Sequence, residues 1–181
     1  MKPDRGNLLA AVWGFAEATV FFIVPDVLLS WIALRSARRA FIASLYALAG
    51  ALAGGLVTWS VGRSDPETLR SLFAALPAID GAMIAAVREQ LVDAGLPSVF
   101  IGPLIGVPYK IYALEAGNLG IPAASFLLVS IPARLSRFLL VSAVVAGVAY
   151  WLRPRLGERS LRVLLLACWA AFYAWYLYAM P

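Results

Sequence analysis

Two apolar runs, Phe41 to Val61 and Leu161 to Met180, are each as long as a helix that crosses the hydrocarbon core of a bilayer. A chain of 181 residues that is 62% hydrophobic and only 14% charged has too little polar surface to hide both runs in water. Inside lipid every backbone polar group needs an internal partner, which helices of this length supply by themselves. The sequence therefore predicts a single all-α integral membrane domain over residues 1–181.

The remaining composition narrows the chemistry. A net charge of +5 invites comparison with nucleic-acid binders, but the basic residues sit in short clusters beside apolar segments, not in a stripe interleaved with exposed aromatics. No nucleic-acid partner is expected. Cys168 is the single cysteine and lies within the last apolar run, so it is read as facing lipid or packing, with no disulfide framework and no CxxC site. There is no histidine, which removes the usual general base, the Ser-His-Asp arrangement and most transition-metal sites. No catalytic residues, metal or cofactor are expected, and any proton chemistry falls to carboxylates. Lys2 and Arg5 precede an apolar stretch as in a signal peptide, yet that stretch carries Glu17 and Asp26 and lacks a small-x-small cleavage site, so it is expected to be retained.

The first apolar region, residues 8–34, is interrupted at Pro25-Asp26, where proline removes a helical hydrogen bond and disfavours helix in the residue before it. Arg35, Arg38 and Arg39 follow, then a cleaner span over 40–62. Residues 63–96 form the one sustained polar stretch. It opens with Asp65 as a cap, Pro66 at the first helical position and Glu67 at the positive end of the dipole. Leu69, Leu72, Phe73 and Leu76, then Ile84, Val87 and Leu91, recur at helical spacing, predicting two amphipathic helices resting on the membrane surface. A second broken region covers 97–119, interrupted at Gly102-Pro103 and at Gly106-Val107-Pro108. A long span over 122–152 follows, with a kink expected at Pro132. The last span, 161–180, ends in Trp and Tyr residues that read as an interfacial belt.

Charge bias orients these segments. If residues 8–34 crossed the bilayer, Lys2 and Arg5 would lie opposite Arg35, Arg38 and Arg39, against the positive-inside tendency. If the region enters and returns, all five share the cytoplasmic side and the N-terminus is cytoplasmic. The linker then lies outside, where Arg63, Arg70 and Arg88 are outnumbered by Asp65, Glu67, Asp80, Glu89 and Asp93. A second re-entrant region lets the 122–152 span deliver Arg153, Arg155, Arg159 and Arg162 to the cytoplasm. The expected architecture is a helical bundle with two facing re-entrant helical hairpins in an inverted repeat. Paired, Gly/Pro-interrupted segments of this kind build midplane transport sites.

Within that frame the charges are candidate site residues. Glu17 and Asp26 are nine positions apart, so on an unbroken helix, about two and a half turns, they would point to opposite faces. The Pro25 break lets both point inward as an acidic, proton-accepting pair. Lys110 follows the break at Gly106 and Pro108, where freed N–H groups and a helix N-terminus favour an anion; its other reading is a snorkelling lysine or an ion pair with Glu115. Arg134 and Arg137 share a helical face and suit a phosphate or the two carboxylates. Phe15, Phe21 and Phe22 carry no specific signal beyond packing.

The stretches Glu17-Ala-Thr-Val-Phe-Phe-Ile-Val-Pro25-Asp26, Gly106-Val-Pro-Tyr-Lys110, Ala116-Gly117 and Arg134-Leu-Ser-Arg137-Phe138 together resemble the DedA family of membrane proteins, also called the VTT or SNARE-associated domain. The resemblance samples most of residues 8–140. Many members have Arg-x-x-Pro-Gly-x-Arg in the second re-entrant segment, whereas this chain has no arginine before that break and is closer to a smaller Pro-Tyr-Lys branch. The resemblance implies facing re-entrant helices, movement of lipids between leaflets and, as the bacterial theme, recycling of polyprenyl phosphate such as undecaprenyl phosphate. It makes Glu17 and Asp26 the acidic pair, and Lys110, Arg134 and Arg137 their basic partners.

The resulting expectation is a multi-pass protein of the bacterial inner membrane that carries an anionic, phosphate-headed lipid between leaflets, with proton coupling through a carboxylate. The alanine- and arginine-rich composition fits a bacterial source. A passive phospholipid scramblase is the alternative mechanism, and a non-transporting scaffold or assembly factor the alternative class. An intramembrane hydrolase is least favoured, for want of a nucleophile and base pair. A homo-oligomer is compatible with the sequence and not specified by it.

Overall fold

The computed structural model describes residues 5–102 and 105–179; Lys2, Pro103 and Met180, named above, lie outside them. Every regular element among the described residues is helical: α1 (Arg5–Thr19), α2 (Asp26–Ala33), α3 (Ala37–Ser64), α4 (Pro66–Ala74), α5 (Gly81–Asp93), α6 (Ser98–Ile101), α7 (Tyr109–Asn118), α8 (Ala123–Leu152) and α9 (Glu158–Ala179). Of these, α3, α8 and α9 are long and apolar enough to cross a membrane, at 28, 30 and 22 residues. The chain is an all-helical membrane protein.

The first apolar region loses its helix earlier than Pro25 alone requires. Its α1 ends at Thr19 and closes with a wide turn, Phe21 N–H donating to the Ala16 carbonyl at 2.7 Å. Helix resumes at Asp26, whose carboxylate sits in the first turn of α2, the positive end of its dipole. The following span begins at Ala37, three residues before the expected start, because the Ser36 hydroxyl caps it by accepting from Arg39 N–H at 3.3 Å. The second broken region has the same character: α6 is a single turn, α7 begins at Tyr109, and Gly106 between them has φ 96°, a left-handed conformation suited to glycine.

Helix α3 is the axis against which both broken regions pack. A Cβ added at Gly50 would stand 1.8 Å from the Ala11 carbonyl oxygen of α1, and one added at Gly117 of α7 would stand 2.1 Å from the Trp59 carbonyl oxygen of α3. Backbone therefore meets backbone on two sides of α3, the close approach that small residues permit between helices in lipid. Thr58 fixes the first contact by donating to the Ala18 carbonyl at 2.8 Å, and Trp59 fixes the other side by donating to the Ile121 carbonyl at 2.9 Å. Helix α8 runs unbroken through Pro132.

The polar linker folds as two helices packed on the protein. Asp65 caps α4 through Thr68 N–H at 3.2 Å, and Asp80 caps α5 through Met83 N–H at 2.7 Å, so both helices form where the sequence places them. Their apolar faces turn onto the protein. Leu69, Phe73, Ile84, Val87 and Leu91 are buried in one cluster with Tyr109, Ile111, Tyr112 and Leu114 of α7. Short α7 is thereby enclosed between α3 and the linker, with every residue from Tyr109 to Gly117 buried. Burial of this apolar area, at about 25 cal/mol per Å2, stabilises the contact with α7.

Candidate functional site, a charged cavity between two helix breaks

Two features of the backbone set the site. The segment between α1 and α2 is unwound, and unwound backbone in an apolar setting requires partners from elsewhere in the protein. They come from three helices. Trp13 of α1 donates its indole N–H to the Ile23 carbonyl at 2.9 Å, Lys110 of α7 donates Nζ to the Phe21 carbonyl at 2.8 Å, and Tyr173 of α9 accepts Val24 N–H on its Oη at 2.9 Å. The break before α7 is met from the same side, since Tyr176 of α9 donates its hydroxyl to the Gly106 carbonyl at 3.0 Å.

The break also resolves the geometry of Glu17 and Asp26. Both are buried, 5% and 1% exposed, and both face α8, one from the end of each arm. Arg134 forms a buried ion pair with Glu17, and Arg137, one turn further along α8, lies 3.0 Å from Asp26. The second contact is electrostatic without hydrogen-bond alignment: both Asp26 carboxylate oxygens are buried and receive no hydrogen bond among the described residues. Arg134 is held from its sides as well, with its guanidinium 4.5 Å from the Tyr109 ring centroid and 5.1 Å from that of Phe138. Tyr109 is itself fixed by a 3.0 Å hydrogen bond to Ser130 and by stacking on Phe126.

Lys110 occupies the first turn of α7 just after Pro108 and is 1% exposed. It neither snorkels nor pairs with Glu115. Its Nζ reaches the Phe21 carbonyl and lies 5.9 Å from the centre of the Phe73 ring in α4. Glu115 takes a different partner: Arg70 of α4 grips its carboxylate with Nε at 2.8 Å and an outer nitrogen at 2.9 Å, and Asn118 donates to it at 3.0 Å. Hydrogen bonding to Glu115 raises the Arg70 pKa above its ordinary value, so this arm stays charged at any physiological pH.

A cavity of about 750 Å3 joins these parts. Glu17, Asp26, Lys110 and Arg137 line it, while Arg134 stands behind Glu17. Gly106, Val107 and Pro108 form its edge at the second break; α8 contributes Leu140, Val141 and Val145, and aromatic residues of α9 complete the wall. When all are ionised, Lys110, Arg134 and Arg137 outnumber Glu17 and Asp26 by one positive charge. The arrangement combines a cationic, carboxylate-tempered base with apolar walls, and so suits an amphipathic anion. Among the described residues no group of three carboxylates or cysteines comes together as a metal-ligand set.

The sequence singles out every charged residue that lines the cavity, but not the cavity-lining Trp169, Tyr173 and Tyr176, nor Arg70, which holds Glu115 away from it. In sequence Trp169, Tyr173 and Tyr176 resemble an interfacial belt; their spacing of four and then three residues, which places them on one helical face, is the signal that separates them from a belt. Cys168 lies exposed at the cavity wall.

No family model and no solved structure matches the chain. It is similar to an uncharacterized protein of Haemophilus influenzae, 27% identical over 133 residues, a match that covers 73% of this chain and 68% of that protein.

Proposed function

We propose that this protein is a DedA-like lipid transporter of the bacterial inner membrane, which carries a lipid with a phosphate headgroup, such as a polyprenyl phosphate, between leaflets. The observation that carries this reading is the cavity between the two helix breaks, which Lys110 and Arg137 line together with Glu17, Asp26 and apolar walls from α8 and α9. In this reading the two broken regions are re-entrant and form an inverted repeat with a cytoplasmic N-terminus, as the positive-inside bias favours.

The headgroup binds by competing with the carboxylates for their cations. A phosphate that enters beside Lys110 gains an ammonium at one side and, on displacing Asp26, the guanidinium of Arg137 at the other. Protonation of Asp26 or Glu17 removes the internal competitor and favours the loaded state, while loss of the proton restores the ion pair and expels the phosphate. Occupancy is thereby tied to a proton. A passive scramblase needs the same cavity without the protonation step and keeps its activity when the proton gradient is dissipated.

Native mass spectrometry of the protein with a polyprenyl phosphate and with the corresponding polyprenol tests the assignment. The phosphate lipid is expected to bind and the alcohol not to. Lys110→Met is expected to weaken phosphate binding by roughly tenfold to a hundredfold, the loss of one charge-assisted contact. Equal binding of alcohol and phosphate, unaffected by Lys110→Met, would contradict it and favour a scaffold.

A further inference from the structure

Helix α9 is attached to the rest of the protein in an unusual way. Leu161, near its start, is its only buried residue among those described, and just 6% of its apolar window is buried inside the protein. Beyond Leu161 its described hydrogen bonds to other elements are made by three side-chain tips. Trp169 donates its indole N–H to Ser30 Oγ of α2 at 2.9 Å, Tyr173 accepts Val24 N–H at 2.9 Å, and Tyr176 donates to the Gly106 carbonyl at 3.0 Å. These residues follow one another at four and three positions, on one face of the helix. Two of the three contacts end on unwound backbone, one at each helix break.

The same face forms one wall of the cavity. Leu165, Cys168, Phe172 and Tyr173 of α9 line it opposite Leu140 and Val145 of α8. Val163, Leu166 and Tyr178 of α9 do not line the cavity and are exposed, which in a membrane means facing lipid. One helix therefore separates the charged cavity from the hydrocarbon. The contrast with α1 is physical: α1 meets α3 backbone to backbone through Gly50, a contact that cannot slide without losing close packing, whereas α9 beyond its apolar packing at Leu161 and Leu165 is held by separate neutral hydrogen bonds and an edge-on contact of Tyr173 with Phe22.

We infer that α9 is a lateral gate, latched at both helix breaks by Tyr173 and Tyr176, that swings away to let a phosphate headgroup enter from the bilayer while its hydrocarbon tail stays in lipid. The inference rests on the lipid-transport reading for its purpose, but not for its motion. Because the latches end on the two breaks, opening removes a backbone partner from each at the same moment, so movement of α9 is coupled to both broken segments. Trp169 lies nearest the buried end of the helix and serves as the hinge-side contact. The phenol hydroxyls are positioning groups, which act through the backbone they hold.

The test uses the whole chain in vesicles, with Cys168→Ser removing the native thiol and Val141→Cys carrying a fluorescent label that faces the cavity. Chain-brominated phospholipids report whether lipid reaches that label. Tyr173→Phe with Tyr176→Phe keeps both rings and removes both latches, and is expected to tilt the closed-to-open ratio by roughly tenfold, seen as stronger quenching. In a second arm, Val24→Cys and Tyr173→Cys are joined by a reversible thiol cross-linker in the Cys168→Ser background. The bridged protein is expected to stop moving lipid and to recover on reduction. Unchanged quenching in the double phenylalanine variant, or full lipid movement by the bridged protein, would overturn the gate. If the unbridged protein moves no lipid at all, the transport reading fails while the quenching arm still decides whether α9 opens.

Discussion

Lys110 and Phe21 lie 89 positions apart in the chain, and the Lys110 Nζ donates to the Phe21 carbonyl at 2.8 Å. This single contact joins the second helix break to the first. It places an ammonium where an unwound carbonyl needs a donor and where the cavity needs a cation, so one side chain satisfies the backbone and charges the site. A site built this way is conditional on both breaks, because neither supplies the donor and the acceptor alone.

The Glu17–Arg134 pair is buried on both sides, at about 5% exposure each, so breaking it from one side should cost more than removing it altogether. Arg134→Met is expected to destabilise the protein by about 3–5 kcal/mol, the cost of stranding a buried carboxylate. Glu17→Gln combined with Arg134→Met is expected to lose less, which a double-mutant cycle of unfolding in mixed micelles measures. Strictly additive losses would show that the two residues do not act as a pair.

The linker makes a parallel prediction on the other side of α7. Arg70→Met leaves the fully buried Glu115 carboxylate without its guanidinium and is expected to cost about 3–5 kcal/mol. Glu67→Gln, at the 81% exposed end of the same arginine, is expected to cost less than about 1 kcal/mol. Proteolysis within residues 66–93 offers a local readout: Arg70→Met should speed cleavage there, and Glu67→Gln should not.

Much of this was legible in the sequence, and the omissions have a physical pattern. The break near Pro25, the Asp65 cap and the long spans follow from local backbone chemistry, which neighbouring residues encode. The charged candidates Glu17, Asp26, Lys110, Arg134 and Arg137 stood out because charge is costly in an apolar segment. Partners were harder. Lys110 bonds a carbonyl, and a carbonyl has no signature in the sequence. Arg70 and Glu115 are 45 positions apart, in segments read as separate environments, and the linker's apolar face looks the same whether it meets lipid or α7. The tyrosines of α9 resemble an interfacial belt until their hydrogen bonds to the two breaks are seen.

Close packing against α3 gives a third prediction. A side chain at Gly50 would collide with the Ala11 carbonyl, which a Cβ would approach to 1.8 Å, and the obstacle is backbone that cannot rotate away. Gly50→Leu is expected to cost about 1–3 kcal/mol or more through overpacking, whereas Gly147→Ala, where a Cβ meets nothing, is expected to be neutral or slightly stabilising. Thermal unfolding of the two variants in detergent distinguishes them.

The proposed topology is tested with single cysteines at Asn7, Ser36, Ser71, Gly120 and Ser160 in a Cys168→Ser background. An impermeant maleimide applied to intact cells is expected to label positions 71 and 120, and to reach 7, 36 and 160 only after permeabilisation. Labelling of 7 and 36 from opposite sides would show that the first broken region crosses the membrane.

The most direct measurement of the central claim is headgroup translocation in vesicles containing the purified protein, with a labelled polyprenyl phosphate and a labelled ordinary phospholipid compared in parallel, for the wild type and Lys110→Ala. Rapid movement of the polyprenyl phosphate is expected, with little movement of the phospholipid, and loss of the former in Lys110→Ala while the variant remains folded. Equal movement of both lipids, or a Lys110→Ala rate indistinguishable from wild type, would contradict a selective anionic-lipid transporter.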